Sequence, residues 1–347
     1  MAGYNEDQIG NENVTWEVAN KANLGLDLQL FNGKINLQVD GFRENRQDIL
    51  LQRGVIPRVA GYYPWVIPYA NLGKAKNYGI DGLLEVKHTT QAGFYYNFRG
   101  TMTYAKSIRV KDDLPNYLYP YQNPIGHLID QPFGYISMGI FQSQDEIDNS
   151  PRQTFIENVQ PGDIKYMDVN GDGVIDIFDR VAIGYPRTPQ FIYGANFTVA
   201  YKGAELSLFF QGTSKTSIFI YGPSMYPFQM GLGTYNILQE YYDNRWTTEN
   251  PNGKYPRVSS MDNLNNNQTS THFLQDASFI RLKSAEIAYS FAPESLKRIG
   301  LNGIRVFSNG TNLITWDKIK IIDPEANYGT PGYPLQRIVN FGAQLTF

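Results

Sequence analysis

The stretch NLGLDLQLFNGKINLQVDG, residues 23–41, sets the period for the whole chain. Leu24, Leu26, Leu28 and Leu30 alternate with Asn23, Gly25, Asp27 and Gln29. Beyond Asn32 and Gly33, Ile35, Leu37 and Val39 alternate with Asn36, Gln38 and Asp40. Strict alternation is the mark of a strand whose two faces meet different surroundings. Asn-Gly between two such runs signals a two-residue hairpin turn, because both central residues must take positive φ. That turn pairs Leu30 with Ile35, Leu28 with Leu37 and Leu26 with Val39. One face of the hairpin is then wholly aliphatic, and the other sets Gln29 against Asn36 and Asp27 against Gln38.

The same period recurs. Tyr78, Ile80, Gly82, Leu84 and Val86 share a face, as do Phe94, Tyr96, Phe98, Gly100, Met102 and Tyr104. Phe191, Tyr193, Ala195, Phe197, Val199 and Tyr201 lead into the turn Lys202-Gly203, and Leu206, Leu208 and Phe210 return with Val199 opposite Leu206. Strands near 275–291 and 302–316 flank a short turn, helical in pattern, at Pro293–Ile299. A last strand carries Phe341, Ala343, Leu345 and Phe347 on one face. Connections at 32–33, 88–93, 202–203 and 292–301 are short, and those at 52–73, 110–189, 220–271 and 317–335 are long. Short and long alternate, which places the long loops on one rim. By the same parity the strand-like segment 129–143 belongs inside the long insert.

Antiparallel strands with short turns on one side and long loops on the other describe a transmembrane β-barrel. A soluble β-sandwich also alternates. Two features favour the barrel. Aromatics (Phe94, Tyr96, Tyr201, Phe291) stand near the short turns, where an interfacial belt would lie, and loops of such length are foreign to a compact sandwich.

Composition narrows the function. The chain has 347 residues, 18% charged and 14% aromatic, a net charge of −3 and no cysteine. There is no thiolate metal site or Cys nucleophile, and no basic block offers nucleic acid a footprint. No apolar run is long enough for a transmembrane helix. The longest uncharged stretch, Thr216–Gln239, is interrupted by Gly222, Pro223, Pro227, Gly231 and Gly233. His88, His127 and His272 are scattered, and nucleophile-elbow, P-loop and H-E-x-x-H patterns are missing, so no enzyme is expected. Residues 1–13 have neither a positive nor an apolar region and do not read as a signal peptide.

Several motifs stand in order along the chain: GNENVTWE (10–17) with NLGLD (23–27), and NLG (71–73) with NYGID (77–81). PGDIKYMDVNGDG (161–173), NRWT (244–247), YPR (255–257), FIRLK (279–283) and NGTNL (309–313) follow. Together they resemble those of SusC/RagA-type TonB-dependent outer-membrane transporters. The resemblance covers essentially the whole chain. It implies an all-β fold, namely about nine strands of a 22-stranded barrel with long extracellular loops. Residues 1–347 would be its C-terminal segment, without signal peptide or plug domain. It also implies the outer membrane of a Gram-negative, Bacteroidota-type bacterium, uptake of oligosaccharides or peptides, a SusD-like lipoprotein lid, and energy from TonB–ExbB–ExbD through the missing plug. The outer-membrane assembly machinery would read Phe347. Nine strands leave two open edges, which lipid does not tolerate, so the chain is expected to be a fragment, a truncated product or one piece of a split transporter. The alternatives are a soluble calcium-stabilised β-module that binds carbohydrate, and a non-functional fragment of a split gene.

Within the insert, DVNGDGVIDIFD (168–179) fits a calcium loop. Asp168, Asn170 and Asp172 would offer side-chain oxygens, Val174 its carbonyl, Asp176 a water-mediated contact, and Asp179 the closing carboxylate. Hard oxygens at this spacing suit Ca²⁺ or Mg²⁺. The competing reading is a surface turn held by its own hydrogen bonds. The outer loops are rich in aromatics, namely Tyr62, Tyr63, Trp65, Tyr69, Tyr117, Tyr119, Tyr121, Tyr226, Phe228, Tyr241, Tyr242 and Trp246. Such rings suit sugar or peptide contacts, but packing among themselves is the expectation for any one of them. Arg245-Trp246 reads as structural. Asp27, Gln29, Asn36, Gln38, Asp81, Glu85 and Arg99 are expected to face the lumen.

Overall fold

The computed structural model describes residues 9–347 apart from 57, 58, 60, 62, 64, 65, 221–226, 228–235, 261, 293–299 and 327–332. Strand β1 (Val18–Leu30) turns into β2 (Ile35–Gln52), then β3 (Tyr69–Thr89) and β4 (Tyr95–Lys111). The long insert carries β5 (Phe133–Gly134), β6 (Ser137–Ile140), helix α1 (Gln144–Asp148), β7 (Arg152–Gln153), β8 (Ile164–Tyr166), β9 (Val174–Ile175) and β10 (Val181–Ala182). The chain re-enters the wall as β11 (Phe191–Tyr201) and β12 (Ala204–Ser214). A second excursion holds β13 (Ser217–Phe219), α2 (Gln239–Asn244) and β14 (Leu274–Asp276). β15 (Phe279–Ser290), β16 (Gly303–Asp317) and β17 (Ile338–Thr346) complete it.

Nine of these strands form one antiparallel sheet in the order β1-β2-β3-β4-β11-β12-β15-β16-β17. The first hairpin has the expected register, with Leu30 opposite Ile35, Leu28 opposite Leu37 and Leu26 opposite Val39. Its turn places Asn32 and Gly33 at φ 54° and 81°, the left-handed pair that a tight hairpin needs. Phe31 joins them in that region, at φ 53°.

Registers carry side chains of one kind across the whole wall. A single row runs Leu28, Leu37, Leu84, Gly100, Ala195, Phe210, Leu282, Ile314. Side chains of this face are uncovered at many positions: Leu24 is 82% exposed, Ile287 63% and Phe341 83%. An apolar face this large and continuous is not a surface left to water; such faces meet a partner or a membrane. At the short-turn rim Phe94, Tyr96, Tyr201, Tyr289 and Phe291 form a belt, with Phe94 and Tyr201 centroids 6.2 Å apart and Tyr289 and Phe291 4.9 Å apart. A second belt (Tyr104, Phe191, Tyr193, Trp316) stands near the other rim. From Tyr201 to Phe191 along β11, at the rise of a strand tilted as in a barrel, the band is about 25 Å tall, the height of such bands in outer-membrane barrels.

Several boundaries differ from the sequence reading. β3 begins at Tyr69 rather than near residue 74, because the Asn71 side chain donates to the carbonyls of Thr15 (2.8 Å) and Asp48 (2.7 Å) and accepts from the Thr15 amide (2.9 Å). The 275–291 strand is two pieces: β14 pairs with β13, and only β15 joins the wall. Segment 129–143 does lie inside the insert, as β5 and β6, pairing with β10 and β8. The turn at 293–299 lies outside the described residues.

Candidate functional site

Two zones present chemistry. The first is the polar face of the wall. All seven residues expected there share it: Gln29, Asn36, Glu85 and Arg99 form one cross-strand row, Asp27 and Gln38 the next, and Asp81 stands opposite Asp40. Asn36 donates to Glu85 (2.8 Å), and Lys87 lies 3.2 Å from the same carboxylate. Farther round, Arg305 bridges Glu286 (2.7 Å) and Glu205 (3.1 Å), and an amide chain runs from Asn340 to Asn309 to Glu286, each step 3.1 Å. The face is hydrophilic, with several of its carboxylates held by amides or cations.

The second zone is the outer head. Its apolar core comprises Tyr135, Ile164, Tyr166, Ile175, Tyr241, Tyr255 and Phe273, drawn from both long excursions. Tyr135 lies at its centre, and burial pushes its phenol up to about 12. The two excursions meet through backbone as well. Tyr135 N–H donates to Thr269 O, and Thr271 N–H donates to Tyr135 O, both at 2.9 Å.

A buried polar node locks that junction. Asp163, wholly buried, accepts from Asn263 Nδ2 (2.8 Å), Asn266 Nδ2 (3.0 Å) and the Gln160 amide (2.9 Å). Arg257 Nε lies 2.7 Å from Asp163 Oδ1, and Arg257 Nη2 donates to Oδ2 at 3.3 Å. A buried carboxylate needs such a full set of donors. Gly162 next to it sits at φ 93°, and a Cβ there would lie 2.4 Å from the Trp246 ring. The turn therefore needs glycine both for its dihedral and for the close approach of the indole. Trp246 Nε1 donates to Gln142 (3.0 Å) and its amide to Tyr255 O (2.7 Å). The structural reading of Arg245-Trp246 thus stands. Sequence matched PGD, NRWT and YPR separately; the fold brings them to one place.

A third outer segment is tied to the wall by Arg281 of β15. Buried to 1% exposure, it contacts Asp323 (2.6 Å) and Glu325 (2.5 Å) and donates to Thr315 Oγ1 (2.9 Å). Arg187 donates to Ala326 O, and burial lowers the Arg187 guanidinium despite the nearby Glu325 and Asp323. Burial drives His272 of the outer head down to about 4; the Lys254 carbonyl opposes this, and the Lys254 ammonium adds to it.

In the Asp168–Asp179 loop the side chains turn to the loop's own backbone. Asp168 accepts from the Gly171 (2.7 Å) and Gly173 (2.9 Å) amides, and Asn170 from Asp172 (3.0 Å). Asp172 accepts from Val174 (2.8 Å), Asp176 from Phe178 (2.8 Å), and Asp179 from Val169 (2.8 Å) and Asp176 (2.9 Å). Among the described residues no three His, Asp or Glu side chains gather as a cation cage. The geometry seen is that of a self-braced turn.

Several outer aromatics pack on one another. Tyr119 stacks on Tyr121 (5.3 Å), whose hydroxyl donates to Phe178 O, and Tyr241 stacks on Tyr255 (4.6 Å). Tyr63, Tyr69, Tyr117 and Tyr242 remain exposed. Tyr62, Trp65, Tyr226 and Phe228 lie outside the described residues.

The chain is similar over its whole length to TonB-dependent receptor P26 of Formosa agariphila, 28% identical over 372 residues and covering 36% of that protein. TonB-dependent receptor SusC of Bacteroides thetaiotaomicron is 23% identical across 97% of the chain and 32% of its own length. Among solved structures, the RagAB peptide transporter superposes with a TM-score of 0.73 at 22% identity, over 100% of this chain and 38% of that one. Its importer in the open-open state gives 0.72. No protein-family model matches. The nine-strand wall thus has the fold of the matching part of a TonB-dependent transporter barrel, and the chain spans about a third of the length of the relatives it matches. The relatives are named receptors and transporters rather than enzymes.

Proposed function

We propose that this chain supplies barrel wall and outer rim to an outer-membrane, TonB-dependent importer of large nutrients, oligosaccharides or peptides, in a Bacteroidota-type bacterium. The observation that carries the reading is the wall itself: one face bears a broad apolar band belted by aromatics, and the other is predominantly polar. A soluble carbohydrate module would have to leave that apolar face in water. In the proposed mechanism, outer loops and a SusD-like lipoprotein lid capture the cargo. Pulling by TonB–ExbB–ExbD on a plug then opens the passage, and cargo moves along the polar lining. The assembly machinery would take hold of the last strand, ending in Phe347. The experiment is a clean deletion in the native bacterium, with uptake of labelled glycans and peptides measured. Loss of uptake of one class, restored by the gene, is the expected result; growth and uptake unchanged on all of them would defeat the proposal.

The Asp168–Asp179 loop enters this reading as a brace for the outer insert. For Ca²⁺ to bind, Asp168, Asp172 and Asp179 would have to draw together from where they stand, using the lone pairs their amide bonds leave free. We put cation binding as a separate proposal with its own test, the thermal melting of the outer head with Ca²⁺ and with chelator. A chelator-induced fall of several degrees, abolished by Asp168→Asn, supports it; superimposable curves leave the loop as an amide-braced turn.

A further inference from the structure

We infer that the outward face of β3, β4 and β11 holds a phosphorylated, multiply acylated glycolipid of the outer leaflet, with its acyl chains in a groove of the wall and its phosphates on a row of cations above it. The inference rests on the membrane reading proposed above.

The groove, about 440 Å³, is almost wholly apolar. Leu37, Val39, Leu84, Phe98, Met102 and Tyr193 wall it, and Gly82 and Gly100 form its floor. Its depth comes from those glycines. Neither is at positive φ, so no dihedral requires them; a Cβ at Gly82 would reach only the flexible Met102 side chain, at 3.3 Å, whereas one at Gly100 would press on the Phe98 ring at 3.1 Å. An ordinary barrel wall would carry side chains at both positions. Their absence leaves a furrow of acyl-chain character rather than a smooth surface.

Charge stands directly above. The row Gly41, Ile80, Tyr104, Phe191 closes the top of the groove, and the next outward row is Arg43, Tyr78, Lys106. Two residues along a strand put it about 7 Å higher. Lys76 and Lys74 follow on the same face of β3, and Lys76 Nζ lies 5.4 Å from the Tyr78 ring centroid. Lys215, 4.7 Å from the Tyr104 ring centroid, adds a further cation from the top of β12. None of these five is in an ion pair among the described residues, although fifteen such pairs occur elsewhere, and the outward rows that hold Arg43, Lys76 and Lys106 contain no carboxylate. The inner face at the same height behaves differently: there Lys21 and Arg46 are matched by Glu44 and Glu17. Cations unmatched on the lipid side, at a height where the inner face pairs its own and one step above an apolar furrow, fit an anionic headgroup with tails beneath it.

The test uses the assembled barrel extracted from the outer membrane in mild detergent and examined by native mass spectrometry, with lipid A as probe. Dephosphorylated lipid A, phosphatidylethanolamine and inorganic phosphate serve as comparison arms. Wild type is expected to retain lipid A above all three. R43Q/K76Q/K106Q is expected to lose it about 100-fold, at roughly fivefold for each cation near an anionic lipid. G82L, which fills the furrow from its floor and leaves every charge in place, is expected to weaken lipid A while sparing phosphate. Equal retention by both variants, or equal binding of dephosphorylated lipid A, overturns the inference. A barrel that keeps a lipid annulus but shows no preference sinks the site alone; a chain recovered without any lipid sinks the membrane reading too. Where the triple variant does not assemble, G82L and the comparison lipids on wild type decide.

Discussion

Replacing Arg257 by Met removes the cation paired with a fully buried carboxylate while keeping the aliphatic stem. Asp163 would still accept from two side-chain amides and one backbone amide, but its charge would be uncompensated. Stripping one partner from a buried ion pair costs about 3–5 kcal/mol, and the three remaining donors hold the expected value near the lower figure. The loss should appear as local opening of the outer head, since Asp163 joins the two long excursions and does not touch the wall. Hydrogen exchange on the detergent-solubilised protein reads it at Gly162 and Ile164, whose amides donate to Phe141 O (2.7 Å) and Asn266 Oδ1 (2.9 Å). About 3 kcal/mol corresponds to exchange roughly 100-fold faster there, with the amides of the β1–β2 hairpin unchanged as internal reference. Asp163→Asn should also open the head, because its NH₂ must face donors whichever way the amide is turned. The double variant should cost less than the sum of the two. Exchange at Gly162 and Ile164 altered less than threefold in R257M, or strictly additive effects, would refute the node.

Three further outcomes follow from the same geometry. Leu28→Arg, on the apolar face, should cost about 2–4 kcal/mol of wall stability in denaturant titrations from lipid vesicles, whereas Gln29→Arg should be nearly neutral; the reverse order would mean that the faces are assigned wrongly. His272 is pushed down to about 4 by burial, below the usual 6.5 of an unfolded chain, so the unfolded state binds more protons between those values. Outer-head stability should be complete above about pH 6.5 and fall by up to about 3 kcal/mol as pH drops toward 4, and His272→Phe should flatten that slope in pH-dependent exchange or melting. Arg281→Met leaves Asp323 and Glu325 facing each other without their shared cation, and protease cleavage within 318–326 should accelerate at least tenfold while the β15–β16 pairing stays protected.

The wall was legible because each of its rules is local. Period-two alternation and Asn32-Gly33 determine strand, face and register within twenty residues, and the Leu28–Leu37 pair follows from the turn alone. The outer head was not legible in the same way. Arg257 and Asn266 lie 94 and 103 residues from Asp163, and no spacing rule links them. The strands β13 and β14 are three residues each, too short to show a period. In the Asp168–Asp179 loop, residue type gave the oxygens but not their direction, since an Asx side chain serves a backbone amide as readily as a cation. The furrow at Gly82 and Gly100 was hidden for another reason: in sequence a glycine within a strand marks weak packing or close approach, and only the register shows two of them adjoining on the lipid side.

The two zones also differ in what holds them. In the wall, among the described residues, the exposed apolar side chains gain nothing from one another in water; the sheet is held by its hydrogen-bond ladders and by the medium its outer face requires. The outer head is an ordinary aqueous core, with buried tyrosines and isoleucines around Asp163. The wall should therefore depend on lipid and on strand neighbours at β1 and β17, each of which presents an unpaired edge, with roughly half of its backbone donors and acceptors directed outward. The head depends on neither. Arg281, where β15 meets the segment holding Asp323 and Glu325, is a point at which a change in that outer segment can be felt in the wall.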